Sequence, residues 1–158
     1  MDIKFETPDG IFSLRVRAIV INDNKLLAMH DERSPYYYLV GGKVEIGETA
    51  EEAVLREVRE ELEIKAEIIR PVYFAQTFYT DDVDGKKYHE AVLYYLLDIS
   101  KTGLLSRGEK FVIHEGKHTL TFEWLNIDGL EDKYIYPTFI KTGAKNLPDN
   151  LKFIVERE

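Results

Sequence analysis

The segment TAEEAVLREVREELEI, residues 49–64, limits the possible folds more than any other, because it is a long helical pattern set between stretches that alternate like strands. At about 100° per residue, Val54, Leu55, Val58 and Leu62 fall on one face, which must pack on something apolar. Thr49 is placed to cap the helix, and Glu51 and Glu52 occupy the first turn, where the positive end of the helix dipole favours acids. Upstream, IKFET, the turn PDG and FSLRVRAIVI read as a hairpin, NDN as a turn, KLLAMH as a strand and YYYLV as extended chain. GGKVEIGE, with three glycines and no apolar period, reads as a loop. Downstream, AEIIRPVYFAQTFYT and KYHEAVLYYLLDIS form a long hairpin across DDVDGK, and HTLTFEWLNI is a further strand. YPTFIKTGAK opens a second helix with Pro137 near its start, whereas residues 101–119 carry no clear pattern. Strands, a helix, more strands and a helix predict one domain over residues 1–158, of α+β or mixed α/β class, with helices on a mixed sheet.

Composition narrows the partners. The formal net charge is −8 and there is no run of Lys or Arg, so a long nucleic acid is a poor partner. A small phosphate ester bridged by a divalent cation escapes that repulsion. Cysteine is absent, which removes disulfides and thiolate metal sites and fits a reducing cytoplasm. The first twenty residues are interspersed with charge and the apolar runs are short, so neither a secretory leader nor a membrane span is expected.

The acids of the helix pose the functional question. Glu57, Glu60 and Glu61 lie along the edge of the apolar stripe, while Glu52, Arg59 and Glu63 point away from it. Like charges three and four residues apart cost about 0.2–0.5 kcal/mol each on an exposed helix. In a cleft of effective dielectric near 20, two such charges ~6 Å apart repel by about 3 kcal/mol. A cation relieves that. Magnesium prefers oxygen ligands and rests on one or two carboxylates plus substrate phosphates, and the glycines before the helix allow close backbone approach. A solvated acidic face is the competing account.

Read from Gly42, the segment follows Gly-x5-Glu-x7-Arg-Glu-U-x-Glu-Glu-x-Gly-U, with U aliphatic, through Gly42, Glu48, Arg56, Glu57, Val58, Glu60, Glu61 and Ile64. It resembles the signature of the Nudix hydrolases. Glu63 stands where that family has glycine, and Val40 where a proline usually precedes the glycine pair. A non-glycine costs about 1–2 kcal/mol if the left-handed helix end is kept, so a local change at the helix end, without loss of activity, is expected. The resemblance implies an α/β/α sandwich with a mixed central sheet and a pyrophosphohydrolase that needs Mg2+, for which Mn2+ substitutes. It further implies Glu57 and Glu61 as principal ligands, Glu60 as a further one, the Gly42 carbonyl completing the shell, and Glu48 and Arg56 as a structural pair. For the general base, Glu60 comes first, Glu115 and Glu109 follow from the unpatterned stretch, and Glu90 is weaker because its strand position turns it from the cleft. Glu57 belongs to the same catalytic set.

The expected substrate is a small nucleotide, foremost a nucleoside triphosphate, normal or oxidised, cut to monophosphate and pyrophosphate. ADP-ribose, a nucleotide sugar or a dinucleotide is the second choice. A non-catalytic nucleotide-sensing Nudix domain is the alternative of another class, opposed by retention of all three acids. Among Tyr36, Tyr37, Tyr38, Phe74, Phe78 and Tyr79, alternate rings can stack on a base, and Tyr37 and Phe78 are assigned to substrate together with Lys43. A homodimer is compatible with the pattern. HEGKH, residues 114–118, matches the zinc motif H-E-x-x-H, but that motif needs a helix, and Gly116 among strand-forming residues argues for a loop.

Overall fold

A computed structural model describes residues 1–82 and 84–157. Val83, inside the expected DDVDGK turn, and Glu158, the last residue of the expected domain, lie outside the described residues. The chain forms β1 (Lys4–Thr7), β2 (Gly10–Ile19), β3 (Ile21–Asn22), β4 (Lys25–Asp31), β5 (Gly41–Lys43), α1 (Ala50–Leu62), β6 (Glu67–Thr80), β7 (Lys87–Asp98), β8 (Lys110–Glu115), β9 (His118–Asn126), α2 (Ile140–Gly143) and β10 (Lys152–Arg157).

Two sheets result. The larger is mixed, in the order β1-β2-β7-β6-β10, with β5 paired to β2. Within it β2 runs parallel to β7 and β10 parallel to β6, while the other pairs are antiparallel. The smaller sheet, β3-β4-β9-β8, is antiparallel throughout. The expected hairpins β1–β2 and β6–β7 are both present.

Strand alternation divides the core in two. Val16, Ala18 and Val20 pack with Val54, Val58 and Leu62 of α1 and with Leu120, Phe122 and Trp124. Ile19 packs on the opposite side with Val72, Tyr94, Leu130 and Ile140. The mixed sheet is thus covered by α1 on one face and by the segment containing α2 on the other. Ala53 joins Val54, Val58 and Leu62 as fully buried, whereas Leu55 is only half-buried. The helix begins with a reciprocal cap: Thr49 Oγ1 accepts from Glu52 N at 3.0 Å, and Glu52 Oε2 accepts from Thr49 N at 3.2 Å. Such a cap contributes about 1 kcal/mol.

Four expectations need correction. The glycine segment is not wholly a loop, because Gly41–Lys43 pairs antiparallel with Arg15–Arg17. The second helix is a single turn that starts three residues after Pro137. The unpatterned stretch contains a 3-10 turn, Leu104–Arg107, and then β8. Residues 152–157, unassigned in sequence, form an edge strand on β6. Among the described residues no helix is long and apolar enough to cross a membrane.

Candidate active site

The site is assembled where α1 meets β5. Val16 and Gly42 are opposite one another in the sheet, so position 42 faces α1. A Cβ there would stand 2.4 Å from Glu57 Oε1. Glycine is needed at 42 because the Glu57 carboxylate fills the space a side chain would take. At 41 a Cβ would meet the Val16 carbonyl oxygen at 2.0 Å, so the second glycine lets β5 close on β2.

Arg56 organises the acids. Its Nε and Nη2 donate to the two carboxylate oxygens of Glu48 at 2.7 and 2.9 Å, Nη2 also donates to the Lys43 carbonyl at 3.1 Å, and Nη1 donates to Glu57 Oε1 at 3.0 Å. Glu48 in turn accepts from Glu45 N at 3.0 Å. One guanidinium therefore ties the loop, the helix and Glu57 together in a fork geometry lysine cannot reproduce. Glu48 is held below the usual carboxylate range chiefly by Arg56.

Two of the three acids converge. Burial raises Glu57 above its ordinary value, an effect opposed by Arg56. Burial also pushes Glu61 up to about 8; the Arg17 charge opposes this, while the charges of Glu57 and Glu115 add to it. Glu60 stands apart, its side chain 57% exposed and 3.4 Å from Arg56 Nη1. The crowding read from the helical wheel thus applies to Glu57 and Glu61, since Glu60 is rotated toward solvent with Arg56 between. Among the described residues, no three acids or histidines form a ready-made metal cage. Two half-buried carboxylates that share too little positive charge suit a hard cation whose remaining ligands are water and phosphate, as magnesium prefers. The Gly42 carbonyl lies in the β2–β5 pairing and would reach such an ion only with the lone pair left over from the sheet.

A cleft of about 440 Å³ is linked to the acids through Arg17, which lines it and whose charge reaches Glu61, although none of the three acids is part of its lining. Its floor carries Arg15 and Arg17, and its walls carry Tyr36, Tyr38, Tyr79, Tyr94, Tyr134 and Tyr136. Arg17 Nη1 donates to the Leu39 carbonyl at 3.1 Å, and its guanidinium lies 5.9 Å from the centre of the Tyr38 ring. Burial and the neighbouring Arg15 lower the proton affinity of Arg17, so two like charges are held side by side facing the cleft. Tyr38 donates to Asp31 Oδ2 at 3.1 Å, and Asp31, nearly buried, is held down at about 2 chiefly by Arg33. Tyr36, Tyr134 and Tyr136 pack mutually, with ring centres 5.0–5.7 Å apart.

Several assignments change. Tyr37 does not line the cleft: in extended chain Tyr36 and Tyr38 share one side, and Tyr37 turns away to donate to Glu123 Oε2 at 2.5 Å, which pushes the phenol up to about 12. Phe78 belongs to the other face of the sheet, between Arg157 at 4.4 Å and the His89 ring at 4.3 Å, and borders a separate hollow. Lys43 stands opposite Arg15, with its ammonium 4.0 Å from Asp2, and is outside the cleft lining. Glu90 does the reverse of what was expected and faces the cleft, accepting from Ser13 Oγ at 2.5 Å and Arg15 Nε at 2.7 Å. Glu109 is paired with Lys25 at the end of β8 remote from Glu115, too far along the strand to share a site with it. Glu115 sits at the hairpin tip opposite His118, and its charge reaches Glu61. The HEGKH stretch is this hairpin, with Gly116 at φ 58°, so its histidines are not on one helical face. Arg15 and Arg17 were missed in sequence, although their spacing of two within an apolar strand was the available signal.

Comparison with known proteins adds four findings. The NUDIX domain model matches residues 12–142. A protein of Methanocaldococcus jannaschii named ADP-ribose pyrophosphatase is 44% identical over 52 residues, 31% of each chain. A protein of Photorhabdus laumondii named NAD-capped RNA hydrolase NudC is 50% identical over 52 residues, 32% of this chain and 20% of its own. The similarity thus spans less than a third of either curated relative. The fold is similar to that of a crystal structure described as an ADP-ribose pyrophosphatase from Streptococcus suis, with a TM-score of 0.58, 15% identity, and coverage of 90% of this chain and 98% of the other.

Proposed function

Because the chain belongs to the NUDIX family, we propose that it is a divalent-cation-dependent pyrophosphohydrolase acting on a nucleoside diphosphate linked to a further moiety. The observation that carries this reading is the convergence of Glu57 and Glu61 within reach of the charge of Arg17, which with Arg15 floors an aromatic-walled cleft. Magnesium held by Glu57 and Glu61 would supply neutralisation of phosphate charge and acidify water. Arg56 fixes the Glu57 carboxylate, so that less reorganisation is needed when phosphate arrives. Arg17 presents its remaining N–H groups to the diphosphate, and the tyrosine rings offer flat faces to a base. Glu115 and Glu60 are the exposed carboxylates available to take the proton of the attacking water.

Charge orders the substrates. The cleft carries Asp81, Asp82, Glu90 and Glu156 against two guanidinium groups, which disfavours the higher negative charge of a triphosphate. Carboxylates also accept hydrogen bonds from sugar hydroxyls. A sugar-bearing diphosphate ester such as ADP-ribose is therefore the first reading, in line with the names of the Methanocaldococcus protein and the Streptococcus structure, and the triphosphate becomes the second. In this reading residues 1–158 act as one domain, in the cytoplasm. The test is a substrate panel with magnesium and product identification, run beside Glu57→Gln and Glu61→Gln. Turnover of no diphosphate derivative by the parent protein, with tight nucleotide binding retained, would favour the sensor instead.

A further inference from the structure

The mixed sheet ends in two unlike edges. At one, β1 is four residues long, alternates charge at Lys4 and Glu6, and ties Glu6 to Lys86. That is the usual protection of an edge strand. At the other, β10 is six residues long, and Phe153, Ile154 and Val155 form an uninterrupted apolar centre. Phe153 is 70% and Val155 61% exposed. Through the register Phe153–Phe74–Leu93 they belong to the face on which α1 packs, yet they lie outside the cluster the helix covers. Among the described residues no strand pairs with the outer edge of β10.

We propose that β10 pairs antiparallel with β10 of a second copy, on a two-fold axis through Ile154, joining the two mixed sheets into one. The sequence KFIVER is its own complement in that register alone. With Ile154 opposite Ile154, Lys152 faces Glu156 and Phe153 faces Val155, each twice by symmetry. Moving the axis to Val155 sets Phe153 against Arg157 and Ile154 against Glu156; moving it to Phe153 sets Lys152 against Ile154. Both shifts oppose charge to hydrocarbon. The pairing hides the apolar centre and gives a strand neighbour to an edge that no strand covers among the described residues. The strand alone buries less than the ~800 Å² per partner of a stable interface, and the adjoining Phe74 ring, 5.6 Å from that of Phe153, extends the apolar surface beside it, so the pairing is expected to be weak.

Sedimentation or light scattering of the full chain over a dilution series tests this. The parent is expected to be dimeric at high micromolar concentration. Lys152→Glu and Glu156→Lys each place like charges across the seam twice, so each raises the dissociation constant about ten-fold, while the double reversal restores it. A variant that merely misfolds would not be rescued by the second change. Because the chain has no cysteine, Ile154→Cys is a unique reporter. Opposite residues lie about 4.5–5.5 Å apart in such a pair, within disulfide range, and the dimer should cross-link on oxidation. Phe153→Cys or Val155→Cys would be ~8 Å from its symmetry mate and should not. A monomer at all concentrations, or faster cross-linking at 153 or 155, overturns the proposal.

Discussion

Replacing Glu61 with glutamine is expected to stabilise the metal-free protein at neutral pH, although it removes a central side chain of the site. Burial raises the carboxyl from 4.5 to about 8, so the folded state holds its proton far more tightly than the unfolded one. The sign follows: stability is greatest below pH 4.5, falls as pH rises, and levels off above 8, where both states are ionised. At pH 7 the accumulated loss is about 2.5 pH units, or on the order of 3 kcal/mol at 1.36 kcal/mol per unit. Proton sharing with Glu57 brings the measurable figure to about 2 kcal/mol, an increase in Tm of roughly 4–8 °C for a chain of this size. The assay is thermal unfolding by circular dichroism from pH 5 to 8.5, first in chelator and then with magnesium. In chelator the parent should lose stability across this range and Glu61→Gln should not; with magnesium the parent should recover and the variant gain little. A variant no more stable than the parent in chelator at pH 8 would refute the reasoning, because the carboxylate would then be adequately solvated or paired by Arg17.

Gly42→Ala should retain the fold but lower turnover by about 100-fold, since the new methyl displaces Glu57; steady-state kinetics with a circular dichroism control checks it. Asp31→Asn should cost about 2 kcal/mol above pH 4, because the native carboxyl lies near 2 against 3.8 unfolded; the difference should vanish as pH falls through 2, as urea titrations at several pH values will show. Glu63→Gly should raise stability by about 1 kcal/mol without changing turnover, because residue 63 keeps the left-handed conformation, φ 57° and ψ 38°, that glycine adopts freely; chemical denaturation measures this.

The helix and its cap were legible in sequence because each depends on residues within a few turns of one another, and the Glu48–Arg56 pair followed from the family resemblance. The departure at Glu63 was not legible in this way: a local change of the helix end is the expectation, whereas the structure keeps the left-handed conformation, with Arg107 donating to the carbonyl of Leu62 at 2.5 Å. The cleft was not legible. Its lining comes from β2, the Tyr36–Tyr38 segment, the β6–β7 hairpin, the Tyr134–Pro137 turn and β10, and only the parallel pairing of β2 with β7 sets Arg15 and Arg17 beside Glu90. No local pattern fixes such a crossover. The same cause explains Tyr37 and Phe78, whose aromatic character was visible while the side of the chain they occupy was not. For β10, Pro148, Asp149 and Asn150 were an available turn signal, but three apolar residues between charges carry too short an alternation to identify the strand that follows.

The alternation of β2 has a practical consequence for anyone who wishes to retarget such a protein. Val16 and Ala18 lie under the helix, whereas Arg15 and Arg17 line the cleft and Ser13 bonds to Glu90, which also lines it, so adjacent codons govern unrelated properties. Mutational libraries aimed at new selectivity should vary positions 13, 15 and 17 and leave their even-numbered neighbours alone. Randomising the whole stretch would mostly yield chains that no longer fold.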